Sequence, residues 1–237
     1  MADAENPAAK KNSDLPVRLA SAIVMLAVAG TALWLDGIWF DAFALLIGVL
    51  CVSEFGRLAI GAFATKSARL IAILLGGAYI ALAAYALILL PIEMVVGVIA
   101  LVIAVDVGAY FTGRAIGGPK IAPSISPSKT WAGLFGGMVG AALVAWVGIA
   151  FVVSADGHQT TDFGRALLTS DALAGALAGS SLAVVAQAGD FFESWLKRRA
   201  GVKDSSSLIP GHGGVFDRVD GLLPVALIIG GLWSFLS

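Results

Sequence analysis

Apolar residues form long uninterrupted runs in this chain, and polar residues occur mainly in the breaks between them. Seven runs approach the roughly 20 residues that a helix needs to cross a bilayer. They cover about 19–35, 40–56, 70–90, 94–113, 131–153, 171–190 and 221–236. Because apolar and polar residues do not alternate within the runs, the pattern predicts helices and not a barrel. We expect an all-α, polytopic membrane bundle of about seven transmembrane helices.

The composition supports a membrane location and excludes two kinds of site. Of 237 residues, 59% are hydrophobic and 13% are charged, whereas soluble domains carry about 25% charged residues. A chain with so few charges cannot cover its surface in water. The single cysteine excludes an intrachain disulfide framework, and two histidines cannot supply a Cys/His zinc site.

The basic residues predict how the chain is oriented. If seven spans alternate, Arg165 falls on one side of the membrane and the other fourteen Lys and Arg residues fall on the opposite side. The positive-inside rule then places the N-terminus in the cytoplasm and the C-terminus outside. We expect a disordered cytoplasmic tail over 1–16 and one transmembrane catalytic domain over 17–237. The compact chain and short tail favour a bacterial inner membrane.

Residues 194–221 mix basic, acidic and glycine residues between two apolar runs, in about 28 residues. The positive-inside rule explains the basic residues but neither the three aspartates nor Gly213-Gly214 beside His212. Basic side chains neutralise phosphate oxygens, and glycines let backbone N–H groups approach an anion. Aspartates bind hard cations such as Mg²⁺ that bridge phosphates. The combination favours a site for a metal–polyphosphate ligand.

Two further polar features point to the same side of the membrane. Asp190, Ser194 and Lys197 recur at helical spacing, so they share one face at the end of the sixth run. Asp106 lies well inside the fourth run, where an ionised group costs at least a few kcal/mol unless it is solvated or paired. Lys129 stands just before the fifth run. We therefore expect one cytoplasmic-facing site built from 106–133 and 187–221.

The spacing of these residues resembles that of a known family. The loop reads SWLKRRAGVKDSSSLIPGHGGVFDRVD, and the earlier segment reads DVGAYFTGR followed by SPSKTWAG. Both are similar to motifs of the phosphatidate cytidylyltransferase (CDP-diacylglycerol synthase) family, and the similarity covers roughly the last 130 residues. The chain departs from many members in having fewer N-terminal spans.

The resemblance implies that CTP and phosphatidate react to give CDP-diacylglycerol and pyrophosphate, with Mg²⁺ and room for a second cation. The catalytic residues that it implies are Asp190, Lys197, Lys203, Asp204, Asp217, Arg218 and Asp220. The metal ligands among them are Asp190 and Asp217. The substrate-binding residues that it implies are Asp106, Arg114, Ser126, Lys129, Thr130, Ser194, Arg198, His212, Gly213 and Gly214.

Two other enzyme classes and a transporter are alternatives to the cytidylyltransferase function. A CTP-dependent lipid kinase and a cytidylyltransferase for another lipid phosphate stay open, and product analysis separates them. A transporter would explain Asp106 and Asp190 as ion-path residues, but it predicts broken helices and often an inverted repeat. The expected partners are CTP, phosphatidate and the lipid bilayer, with a homodimer left open and no nucleic acid.

Overall fold

A computed structural model describes residues 7–155 and 162–236, with side chains described from residue 15 onward. Within these ranges the chain forms nine helices and no strand. The helices are α1 (Pro7–Leu35), α2 (Gly37–Ala62), α3 (Lys66–Leu89), α4 (Ile92–Ala115), α5 (Trp131–Ala155), α6 (Phe163–Ala166), α7 (Ser170–Ala200), α8 (Phe216–Val219) and α9 (Leu222–Leu236).

All seven apolar runs form helices, and the protein is a polytopic membrane helical bundle. In the part of the chain that is described, α1, α2, α3, α4, α5 and α7 are long and apolar enough to cross a membrane. The seventh apolar helix, α9, has 15 residues. At 1.5 Å per residue it is about 22 Å long, which is less than the roughly 30 Å of a hydrocarbon core.

Two expected boundaries differ from the structure. Helix α7 continues to Ala200, about ten residues beyond the expected end of the sixth run, so the expected 28-residue connection is helical at its start. It ends in a left-handed cap at Gly201, with φ 73°, a conformation that glycine adopts without strain. Of the expected tail, residues 1–6 lie outside the described residues, and the chain is helical from Pro7.

Helices α4, α5 and α7 pack closely because small residues line their contacts. A Cβ on Gly140 of α5 would lie 2.5 Å from the carbonyl oxygen of Ala104 in α4. A Cβ on Gly179 of α7 would lie 2.6 Å from the carbonyl oxygen of Ala141 in α5. Such contacts let helix backbones approach within a membrane, where lipid tails are as apolar as the side chains.

Helix α7 contacts α5, α2, α9 and α4. An apolar cluster joins α2, α3, α7 and α9 around Phe55, Ile80, Leu196 and Leu223. The C-terminal half of α7 is therefore surrounded by other helices. This central position decides which side chains the polar end of α7 meets.

Candidate functional site

A cavity of about 430 Å³ opens between α4, the start of α5 and α7, which is within the usual range for a small-molecule site. Asp106, Tyr110 and Gly113 line it together, as their helical spacing in α4 predicts. The other side chains and backbone that line it are Ala109, Arg114, Ser128, Lys129, Thr130, Gly133, Leu134, Gln187 and Asp190. The cavity therefore unites residues from both polar segments of the sequence.

Lys129 connects the two segments. Its ammonium group pairs with the Asp190 carboxylate and donates to Gln187 Oε1 at 3.0 Å. The local structure that carries it is a short antiparallel bridge between Lys120 and Thr130. Thr130 Oγ1 then accepts from the N–H of Gly133 at 3.0 Å in the first turn of α5. This cap fixes where α5 begins, and so where Lys129 stands.

The predicted face of α7 is present, and it carries a second ion-pair cluster one turn further on. Ser194 Oγ donates to Asp190 at 3.3 Å. The Lys197 ammonium lies 2.7 Å from Glu193 Oε2 and 2.7 Å from Asp217 Oδ1. These three side chains are 14%, 1% and 6% exposed, respectively. These side chains must pair because they are buried, and an isolated buried charge is very unfavourable.

Asp217 is held by donors on both oxygens. Its Oδ2 accepts the N–H of Ser205 at 2.9 Å and the N–H of Gly214 at 2.7 Å, and it lies 2.8 Å from Ser205 Oγ. Burial opposes ionisation, but the hydrogen bonds from Lys197, Gly214 and Ser205 outweigh it and hold the pKa of Asp217 at about 2. The carboxyl is therefore anionic at neutral pH.

Asp220 lies where negative charge accumulates. Burial and then the nearby Asp190 carboxylate raise the pKa of Asp220 to about 7, against a smaller opposing effect of hydrogen bonds. Its backbone passes against α7, because a Cβ on Gly189 would overlap the Asp220 carbonyl oxygen. The charge of Asp190 therefore acts on Asp220 at the junction of α7 and α9.

The other predicted residues lie around this centre with different contacts. Arg198 donates to the carbonyl of Ile125 at 3.4 Å, and Arg218 donates to the carbonyl of His212 at 2.5 and 3.1 Å. Both arginines are exposed. Their side chains tie loops together at the rim of the site and still face solvent.

Among the described residues, none of 194–221 lines the cavity. Ser126 is buried outside the cavity lining. Lys203 and Asp204 are exposed. Gly213 has φ 82°, and a Cβ there would lie 2.8 Å from Asp217 Oδ2. Glycine is therefore needed at 213 for both conformation and space.

Two buried carboxylates that the sequence pattern does not single out also belong to this region. Glu193 pairs with Lys197, and its Oε1 has no hydrogen-bond partner in the part of the chain that is described. Glu54 lies in α2, far away in sequence, and accepts hydrogen bonds from the loop before Asp217. Glu54 can be recognised from the sequence, because it is an acidic residue within the apolar run of α2.

Comparison with known proteins places the chain among its relatives. A sequence model described as "Cytidylyltransferase family" matches residues 66–236. "Phosphatidate cytidylyltransferase" of Rickettsia bellii is 33% identical over 233 residues, covering 94% of both chains. The protein of that name from Brucella suis is 45% identical over 135 residues, covering 57% of this chain and 44% of the relative.

The Haemophilus influenzae protein of that name is 45% identical over 122 residues, covering 52% of this chain and 39% of the relative. The chain thus spans less than half the length of the Brucella and Haemophilus relatives, and nearly all of the Rickettsia one. The family model covers more than half of the chain, including every residue of the two polar segments. The chain belongs to the cytidylyltransferase family.

Proposed function

We propose that this protein transfers CMP from CTP to phosphatidate, giving CDP-diacylglycerol and pyrophosphate. The observation that carries the proposal is the joining of both polar segments around α7. Lys129 meets Asp190 there, and Lys197 meets Asp217 on the next turns of the same helix. The names of the relatives agree with this reaction. In this proposal the cationic groups bind phosphates and the carboxylates hold a metal.

A divalent cation, Mg²⁺ by its preference for oxygen, is part of the proposal. Within the described residues, no group of three or more His, Cys, Asp or Glu is arranged to hold an ion. Mg²⁺ commonly uses only one or two carboxylates, with waters and substrate phosphates completing its shell. The Asp190 carboxylate raises the pKa of Asp220, and a cation held at Asp190 would relieve that repulsion.

In this proposal Asp190 and Asp217 hold the metal, which would neutralise charge on the reacting phosphates. Asp220 supports Asp190, and the exposed Asp204 lies beside Gly213 at the mouth of the site. A second cation would be accommodated by the same carboxylates. Asp217 suits this role because its donors keep it anionic.

The cationic side chains bind phosphates. Arg114 and Lys129 line the cavity and would hold the lipid phosphate or CTP, together with the hydroxyls of Ser126, Thr130 and Ser194. Lys197 lies beside Asp217, where it would balance charge on the transferred phosphoryl group. The remaining groups that would hold the triphosphate are Arg198, Lys203, Arg218, His212, Gly213 and Gly214.

The chemistry requires little from the protein beyond alignment and charge. The phosphate monoester has a second pKa of about 6, so it is largely a dianion at neutral pH and needs no strong base. One of its oxygens forms a bond to the α-phosphorus of CTP, and the bond from that phosphorus to the β-phosphate oxygen breaks. The protein brings two polyanions together and stabilises the charge on the leaving pyrophosphate.

We further propose a bacterial inner-membrane location with the N-terminus in the cytoplasm and the C-terminus outside. The distribution of basic residues supports this orientation, since Arg165 alone falls on the outer side. The site would then face the cytoplasm. The single catalytic domain would comprise residues 17–237.

The proposal is tested by product analysis. Purified protein in detergent receives labelled CTP, phosphatidate and Mg²⁺, and CDP-diacylglycerol and pyrophosphate are both quantified. We expect equal yields of the two products, and loss of both in Asp217→Asn. The matched control is Asp162→Asn, which removes an exposed carboxyl near α6.

The same assay separates the rival functions. Release of free CDP instead of pyrophosphate would identify a CTP-dependent lipid kinase. Equal activity on a different lipid phosphate, with none on phosphatidate, would identify another cytidylyltransferase. No product from well-folded protein with any lipid phosphate would refute the proposed enzyme class.

A further inference from the structure

A carboxylate in the middle of the bundle binds the loop that leads to Asp217. Glu54 of α2 has 0% of its surface exposed. Its Oε1 accepts from Ser206 Oγ at 2.6 Å and from the N–H of Val215 at 3.1 Å. Its Oε2 accepts from Ser205 Oγ at 2.8 Å and from the N–H of Phe216 at 2.8 Å. Four donors therefore satisfy one buried side chain.

These donors come from both ends of the loop between α7 and α8. The loop has no regular structure over 201–215 beyond an isolated bridge between Ile209 and Gly213. Its two ends are held together because each supplies donors to Glu54. A buried carboxylate that loses donors is strongly unfavourable, so the loop must keep this arrangement while α2 stays in place.

Asp217 is attached to the same two ends. Ser205 and Gly214 give their N–H groups to Asp217, and Ser205 Oγ lies 2.8 Å from both Asp217 Oδ2 and Glu54 Oε2. A Cβ on Gly214 would lie 2.5 Å from Glu54 Oε2. The loop is thus packed directly between the two carboxylates, and a shift at Glu54 reaches Asp217 through one residue.

We propose that Glu54 is a positioning residue that sets the place of Asp217 in the site by fixing both ends of the loop. This inference rests on the proposed function for its effect on catalysis. Glu54 touches no reacting atom in this role. It lies outside residues 66–236, which match the family model, and outside both polar segments of the sequence.

The substitution Glu54→Gln isolates this role because it preserves size and most packing. The amide replaces one of the two carboxylate oxygens with an NH₂ group. A serine hydroxyl can rotate and accept from that group, but the N–H of Val215 or Phe216 cannot. One backbone N–H group then faces the NH₂ group of the new side chain, and neither can accept a hydrogen bond. The edge contact between Phe55 and Phe216 remains, with ring centres 6.0 Å apart.

The measurements are kcat, the KM values for CTP and phosphatidate, and hydrogen–deuterium exchange of peptides covering 203–217. For Glu54→Gln we expect kcat to fall about ten- to hundredfold, because a shift of about 1 Å at a reacting group has effects of this size. KM for phosphatidate stays near the wild-type value. Exchange over 214–216 accelerates about tenfold, as one protecting hydrogen bond is lost.

Two other variants make the test robust. Ser206→Ala removes one donor to Glu54 and the acceptor of the Leu208 N–H, without contacting Asp217. It should shift kcat, and the exchange over 214–216, in the same direction by a smaller factor. It also keeps the inference testable if Glu54→Gln does not fold. The matched control is Glu93→Gln, which makes the same change at an exposed position in the first turn of α4 and should behave as wild type.

Several results would overturn the inference. Faster loop exchange with a wild-type kcat would mean that Glu54 stabilises the fold but does not position Asp217. A lost kcat with unchanged loop exchange would mean that the effect does not pass through the loop. If the wild type turned over no substrate, the proposed function would fail by itself, and unchanged exchange in Glu54→Gln would still refute the anchoring of the loop.

Discussion

Gly189 of α7 occupies a position where one added carbon should disturb both the bundle and the site. A Cβ there would lie 2.8 Å from Cγ of Pro224 in α9 and still closer to the carbonyl oxygen of Asp220. Reaching an ordinary separation of 3.4 Å from Pro224 alone requires a shift of about 0.6 Å in a close-packed interior. The Asp220 carbonyl must move further, and backbone cannot rotate away.

The magnitude of the Gly189→Ala effect follows from two opposing terms. Overpacking costs about 1–3 kcal/mol, and alanine offsets about 1 kcal/mol of this by its better helix propensity. We expect a net destabilisation of up to about 2 kcal/mol, or a Tm lower by up to roughly 8 °C for a chain of this size. Because Asp220 is displaced relative to Asp190, activity should also fall by about tenfold or more.

The matched control is Gly97→Ala, since a Cβ on Gly97 of α4 meets nothing within 4 Å. The control gains helix propensity without overlap, so its Tm should rise slightly and its activity should stay at the wild-type level. Both proteins are compared in the same detergent, at one scan rate, with the assay for CDP-diacylglycerol. A Gly189→Ala protein as stable and as active as Gly97→Ala would refute the argument that α7 and the Asp220 backbone are in close contact.

Three further predictions follow from the site and its orientation. Lys197→Gln leaves two buried carboxylates without their cation, which costs about 3–5 kcal/mol. Its Tm should therefore fall well below that of Lys66→Gln, a control at an exposed position. Equal Tm values would contradict the buried pairing. Chelation should abolish product formation and added Mg²⁺ should restore it, whereas full activity in excess chelator would refute the metal proposal. Cys51 is buried, so an impermeant maleimide should not label the native cysteine. The reagent should label Ser207→Cys only from the cytoplasmic side and Asp162→Cys only from the outer side. The reverse pattern would overturn the orientation.

Much of the bundle is predictable because the membrane imposes one strong rule on the sequence. A lipid-exposed backbone must satisfy its own hydrogen bonds, so each long apolar run becomes a helix. The runs were located correctly, but α7 ends ten residues later than its hydropathy indicates. Hydropathy reports where apolar residues stop, whereas the helix continues through charged residues until Gly201.

The local spacing of the site residues was also informative. The shared face of Asp190, Ser194 and Lys197 follows from helical periodicity alone, and the structure has it. The same holds for Asp106 and Tyr110, which line one cavity. The catalytic, substrate-binding and metal-binding roles of these residues stay predictions.

Hydropathy and charge are local properties, so the order of residues is enough to indicate a helical membrane protein whose charged residues gather in two segments. Which charges meet depends on the tertiary structure. Lys129 pairs with Asp190, which is 61 positions away in the sequence. Glu54 accepts a hydrogen bond from Ser205, which is 151 positions away. These contacts depend on how α2, α5 and α7 pack, and no local pattern encodes that packing.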